Sequence, residues 1–262
     1  MIVFAGPSLA GADAEVPDAL DLRPPAQQGD VYLATLETPR AIGIIDGYFE
    51  GVPAVWHKEI LWALTQGIAV YGASSMGALR AAELDAFGMI GLGAIYDDYR
   101  DDVLEDDDEV ALLHGPAEVG YPGLSLAMVN VRATLKAAQE AGVVSSDTAE
   151  TLIARAKAEF YKTRTWDSIF RTGETGGQED TALPTLQTWI AQNEVDQKRL
   201  DAQLLLRHMA EEAHRPRSAS FHFEQTALWH DAVQIWRQRA RQESAATHGG
   251  YRLTGGLSFR DD

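Results

Sequence analysis

The stretch Ile68-Ala-Val-Tyr-Gly-Ala-Ser-Ser-Met-Gly-Ala-Leu-Arg-Ala-Ala-Glu-Leu84 decides the fold. Residues 68–72 are an apolar run and read as a buried strand, and the residues that follow the turn Ala73-Ser-Ser-Met-Gly77 read as a helix. Just before it, Val55-Trp-His-Lys-Glu-Ile-Leu-Trp-Ala-Leu-Thr-Gln-Gly67 places apolar positions 60, 61 and 64 on one helical face and ends on Gly67, a fitting C-terminal cap. Short runs at residues 2–5, 31–36 and 42–45 read as further buried strands, and residues 110–113 as a fifth. Strand, helix, strand is the βαβ signature, whose strands run parallel. The expected fold class is therefore α/β, an open, mostly parallel sheet with flanking helices in the N-terminal half.

The pattern changes near Tyr121. Helical periodicity dominates residues 126–141, 146–162, 184–213 and 223–243, with Ser145-Ser-Asp147 as an N-cap cluster and Gly142 closing the helix before it. The expected organisation is an α/β core over 1–120, an all-helical region over 121–247 packed on or extending from it, and a loose tail over 248–262. Residues 171–180 read as a polar, Gly-rich loop.

Composition narrows the function. The chain has 262 residues, 45% of them hydrophobic, and can bury a full core. Its 39 acidic residues against 22 basic ones give a net charge of -17, the wrong sign for a protein that grips phosphate backbones, so nucleic acid is not expected as a partner. Cysteine is absent, which removes thiol catalysis and thiolate metal sites and fits a cytoplasmic protein. No apolar run approaches the ~20 residues of a membrane span.

In an open parallel sheet the loops at the carboxyl ends of the strands form the binding crevice. Asp46, Ser74, Ser75 and His114 each follow an expected strand, and His57 opens the helix that leaves the same edge. A serine, a histidine and a carboxylate in one crevice are the inventory of acyl transfer: nucleophile, base and orienting group. Ser75 has the small-x-Ser-x-Gly spacing of a nucleophile elbow, with Ala73 in the first glycine position, and the amides of Met76 and Gly77 could serve as an oxyanion hole. Two other readings use the same residues. Ser74 or Ser75 could cap the helix, or the helix N-terminus, assisted by Arg80, could hold a phosphate or nucleotide. His57 and His114 equally suit structural hydrogen bonds, Asp46 suits a turn before Gly47, and Arg80 suits a surface pair with Glu83.

The acidic residues at 97–102 and 105–109 invite a magnesium site, but such runs are usually solvated faces, and a surface this acidic could instead dock a basic patch on a partner protein. The histidines are scattered and lack zinc-ligand spacing. Neither a metal nor a cofactor is expected.

Three segments together resemble a known family: Ile45-Asp-Gly-Tyr-Phe-Glu-Gly-Val-Pro-Ala-Val-Trp-His-Lys-Glu-Ile-Leu61, Gly72-Ala-Ser-Ser-Met-Gly-Ala-Leu-Arg-Ala-Ala-Glu-Leu84 and Asp106-Asp-Asp-Glu-Val-Ala-Leu-Leu-His114. The chain resembles the TfuA-like family over roughly residues 1–165. It departs from the family pattern at Leu126, where an acidic residue usually follows the serine matched by Ser125, and beyond about Lys162 the resemblance ends. Members accompany YcaO enzymes in converting peptide backbone amides into thioamides. The resemblance implies hydrolysis of a thiocarboxylated, ubiquitin-like (ThiS-like) sulfur carrier protein, releasing sulfide for the YcaO step, or else a non-catalytic role binding YcaO or its precursor peptide. In the hydrolytic case Ser75 is the expected nucleophile, His57 or His114 the base, Asp46 the orienter, and Lys58 an alternative base or a positive charge that attracts the thiocarboxylate.

Overall fold

The computed structural model describes residues 1–11, 15–171, 183–211 and 219–249, the side chains of 243–249 excepted. Five parallel strands form one sheet: β1 (Ile2–Phe4), β2 (Asp21–Arg23), β3 (Ala41–Ile44), β4 (Ala69–Ala73) and β5 (Ile90–Leu92), in the order β2-β1-β3-β4-β5. This is a doubly wound order. The chain leaves β1 toward β2 on one side and returns to β3 on the other, so the crevice of the fold opens past the carboxyl ends of β1 and β3.

Both sheet faces are covered. Ile2, Phe4, Ile42, Ile44 and Val70 point to a core shared with α1 (Asp30–Thr35), α2 (His57–Thr65) and α3 (Met76–Leu84). The alternate residues Val3, Ala5, Ala41, Ile45, Ala69, Tyr71 and Ala73 meet Ala202, Leu205, Leu206 and Met209 of α9 (Gln197–Glu211). One helix from the C-terminal half thus supplies the second layer. Helices α5 (Met128–Glu140), α6 (Ser146–Ala158), α7 (Trp166–Phe170) and α8 (Leu183–Asn193) share a separate apolar core. Helix α10 (Ala227–Gly249) lays Trp229 and Trp236 against Tyr32 of α1, each with ring centroids 5.6 Å apart.

The α/β class and the helical second half are as the sequence implies, but three elements differ. Residues 31–35 lie in helix α1 and Leu36 caps it, so the expected strand is absent. The fully buried Glu59 explains this: its carboxylate accepts from the amides of Gly29, Val31 and Tyr32, supplying the helix N-terminus with the partners it lacks. Residues 110–113 are not a strand either; they follow a 3-10 turn at Asp107–Glu109 and lead into a ribbon in which His114 bridges Gly123. The helix expected over 184–213 breaks into α8 and α9, because the Asp196 carboxylate accepts from the Arg199 amide as an N-cap and the Val195 amide is drawn to Thr134. Strands β2 and β5 and the short α4 (Ala94–Arg100) have no counterpart in the sequence reading. The segments expected as a loop over 171–180 and a tail over 248–262 lie, apart from Arg171 and the backbone of 248–249, outside the described residues.

Candidate functional site

The β4–α3 turn is held by two glycines that cannot be enlarged. A Cβ on Gly77 would lie 1.8 Å from the Ile44 carbonyl oxygen, and one on Gly72 would lie 2.1 Å from the Gly77 oxygen. Helix α3 therefore starts almost in contact with the backbone of β3 and β4. Ser74 takes the strain of the turn at φ +68, a left-handed conformation that costs an L-residue on the order of 1 kcal/mol or more.

That strain is held by a chain of buried hydrogen bonds. The Ser74 hydroxyl donates to Ser8 Oγ at 2.8 Å, and Ser8 donates to Asp46 Oδ1 at 2.7 Å. The other Asp46 oxygen accepts from the amides of Gly6 and Ser8, at 2.8 and 3.0 Å. Asp46 follows β3 and residues 6–8 follow β1, so the cluster occupies the switch point itself. Donors surround the Asp46 carboxylate on both oxygens. It fills the amide cradle of the loop after β1, where such a fold would otherwise hold an anion.

Ser75 does not cap α3 with its side chain. Its hydroxyl oxygen instead accepts from Lys198 Nζ at 3.1 Å, and the same amine donates to the Val110 carbonyl at 2.6 Å. Lys198 is only 2% exposed. Burial pushes its ammonium below the ordinary lysine value, and the nearby charges of Asp46 and Asp196 oppose that shift without reversing it. A desolvated amine against a serine hydroxyl is the arrangement by which lysine serves as a base. A cleft of ≈ 340 Å³ opens on Ser8 and Lys198, with Ser125, Asn130, Glu194 and Asp196 among its lining residues.

The remaining candidates are engaged elsewhere. His57 Nε2 pairs with Glu83 at 2.7 Å, and Arg80 joins the same carboxylate while its Nε donates to the Val55 carbonyl. Lys58 reaches Thr226 and lies over the Phe223 ring. His114 directs Nδ1 at the Gly115 carbonyl and sits between the rings of Tyr48 and Tyr121. Among the described residues none of the three expected bases shares a hydrogen bond with Ser75. Nor are both expected oxyanion amides available: the Gly77 amide donates to the Ile45 carbonyl, whereas that of Met76 has no partner among the described residues. The acidic segment at 106–109 is an ion-pair network, with Lys157 joining Asp106, Asp108 and Glu109, Arg132 gripping Glu109, and the fully buried Arg164 reaching Asp108.

Residues 46–165 match the family described as TfuA-like protein. Over this stretch the chain is similar to TfuA-like proteins. No curated protein matches the chain. The match begins at Asp46 rather than at the N-terminus, and it takes in Asp46, Ser74 and Ser75 while leaving out Ser8 and Lys198. TfuA-like proteins are associated with YcaO-type peptide thioamidation. Among the described residues no helix is long and apolar enough to cross a membrane.

Lys198 is the residue that sequence reasoning missed, and a signal for it exists. The buried positions of α9 are 198, 201, 202, 205, 206 and 209, one continuous stripe. Lys198 and Asp201 put charges on that stripe, where an ordinary amphipathic helix carries apolar side chains. Asp201 uses its place to accept from the amides of Ala94 and Ile95 at the start of α4.

Proposed function

We propose that this TfuA-like protein supports YcaO-dependent backbone thioamidation by hydrolysing a thiocarboxylated, ubiquitin-like sulfur carrier, with Ser75 as nucleophile and Lys198 as base. The observation that carries the reading is the Ser75–Lys198 contact: a serine at a strand-to-helix turn, not spent on capping, against a buried amine whose partners are two neutral oxygens. Lys198, in its neutral form, takes the Ser75 proton as Oγ attacks the thiocarboxyl carbon. The developing oxyanion falls to the Met76 amide. The carbon–sulfur bond then breaks, and the sulfur leaves as hydrosulfide with the proton returned by Lys198. Water, activated by the same amine, cleaves the resulting ester and restores Ser75 and a carrier carboxylate. The low exposure of Ser75, 8%, suits a thin chain terminus rather than the face of a folded substrate.

The test is sulfide release from purified thiocarboxylated carrier. Wild type is expected to release sulfide and Ser75→Ala to lose at least a hundredfold in rate, on the order of what removing such a group costs. Absence of release by wild type, alongside retained stimulation of YcaO, would overturn hydrolysis and leave a protein that acts by binding YcaO or its precursor peptide.

A further inference from the structure

We infer that Asp46 is the positioning residue of this site, fixing the turn that aims Ser75 through Ser8 and Ser74 and presenting its charge to Lys198. The inference rests on the reading of Ser75 and Lys198 above, and it assigns Asp46 a role different from orienting a histidine. Three of its hydrogen bonds hold the loop after β1, and the Ser8 hydroxyl passes that order to Ser74, whose left-handed backbone sets the direction of the next residue. Asp46, Ser8 and Ser74 are each 2% exposed or less, so water does not substitute for any link.

The charges around Lys198 make the second half of the role specific. Its amine is met by Ser75 from the β4–α3 turn, by the Val110 carbonyl, and by the field of Asp46 from the end of β3. Asp196 precedes it on its own segment and is held by Asn130 and the Arg199 amide. Asp201 is spent on α4, Glu194 accepts from Trp166 at the cleft, and Glu109 beside Val110 is paired with Arg132 and Lys157. Asp46 and Asp196 are thus the two carboxylates whose charge opposes the loss of the Lys198 proton, and Asp46 is the one that stands at the strand edge.

Two variants of the full chain separate these roles. Asp46→Asn removes the charge, and Ser8→Ala removes the relay while keeping the charge. Lys198 is titrated by NMR of a 13Cε-lysine-labelled protein, its signal identified by its loss in a Lys198 variant, and kcat and KM for sulfide release are followed against pH. In D46N the Lys198 midpoint is expected to fall by about one pH unit, and the acid limb of kcat to move with it. In S8A the midpoint stays at the wild-type pH, while kcat falls about tenfold or more with KM nearly unchanged. A brace with no electrostatic or aiming role would lower thermal stability in both variants and move neither the midpoint nor the kcat-to-KM balance. Equal Lys198 midpoints in wild type and D46N, or wild-type kcat in S8A, would overturn the inference. If D46N fails to fold, S8A decides the aiming role on its own. The NMR titration needs no carrier, so a wild type that releases no sulfide refutes the hydrolase reading while the titration still judges Asp46.

Discussion

Replacing Lys198 by methionine tests the site through two readouts that an ordinary core residue would move together. Methionine is unbranched and close to lysine in length, and it removes the amine that touches Ser75 and Val110. Loss of a positioned base costs about 100- to 10,000-fold in rate. Stability should move the other way. In the folded protein burial holds the Lys198 ammonium below its ordinary value. Between that depressed value and the unfolded value of about 10.4 the unfolded chain binds more protons, so stability rises with pH across this window. Below it the penalty of the buried charge is present in full. The exchange therefore removes a desolvation penalty of several kcal/mol and leaves the Val110 carbonyl without its donor, at a cost of about 1–3 kcal/mol. The net expectation at pH 6 is a gain of roughly 0 to 2 kcal/mol, or up to about 8 °C in Tm for a chain of this size. The gain should shrink toward pH 10. Thermal melts at pH 6, 8 and 10 and the rate of sulfide release provide the measurements. A variant that melts more than about 4 °C below wild type at pH 6, or that keeps its rate within tenfold, would refute the argument.

Two further outcomes follow from buried geometry. Gly77→Ala sets a methyl carbon against the Ile44 carbonyl, a backbone atom with no rotamer to yield, so the expected loss is about 3 kcal/mol or more, with sulfide release falling as the turn shifts; a urea midpoint equal to wild type would exclude this close approach. Glu59 is pushed up to about 7 by burial, against the amides of Gly29, Trp56 and Tyr32, so the folded state holds its proton more tightly than the unfolded one. Its contribution to stability should fall as pH rises from about 4.5 to about 7, and urea midpoints of wild type and Glu59→Gln compared across that range should differ in slope; parallel curves would show that Glu59 does not titrate there.

The parallel sheet was legible because three of its strands are apolar runs with clear boundaries, and because residues 55–84 announce helix, strand and helix in succession. The failures have particular causes. Residues 31–36 carry Val, Tyr, Leu and Thr, good strand formers, yet the Glu59 carboxylate 27 or more residues away completes the amides of a helix there. Strand β5 is three residues long with Gly91 at its centre, and the Tyr96 ring occupies the space a side chain would need. Neither cause can be read from a local window, since each depends on a contact across the fold.

The site divides along the same line. Asp46, Ser74 and Ser75 were visible as residues following strands, because a parallel sheet sends every such loop to one edge. His57 and His114 share no hydrogen bond with Ser75, since having the right chemistry near that edge does not direct a side chain inward: His57 pairs with Glu83 and His114 with the Gly115 carbonyl. The group that does meet Ser75 comes from 123 residues further along the chain, on a helix whose buried stripe holds two charges. The stretch that matches the TfuA-like family carries the proposed nucleophile, while Ser8 of the hydrogen-bonded relay and the proposed base Lys198 lie on either side of it. A fragment limited to residues 46–165 therefore lacks the proposed base, and on this proposal the docking of α9 on the sheet is part of the chemistry as well as part of the core.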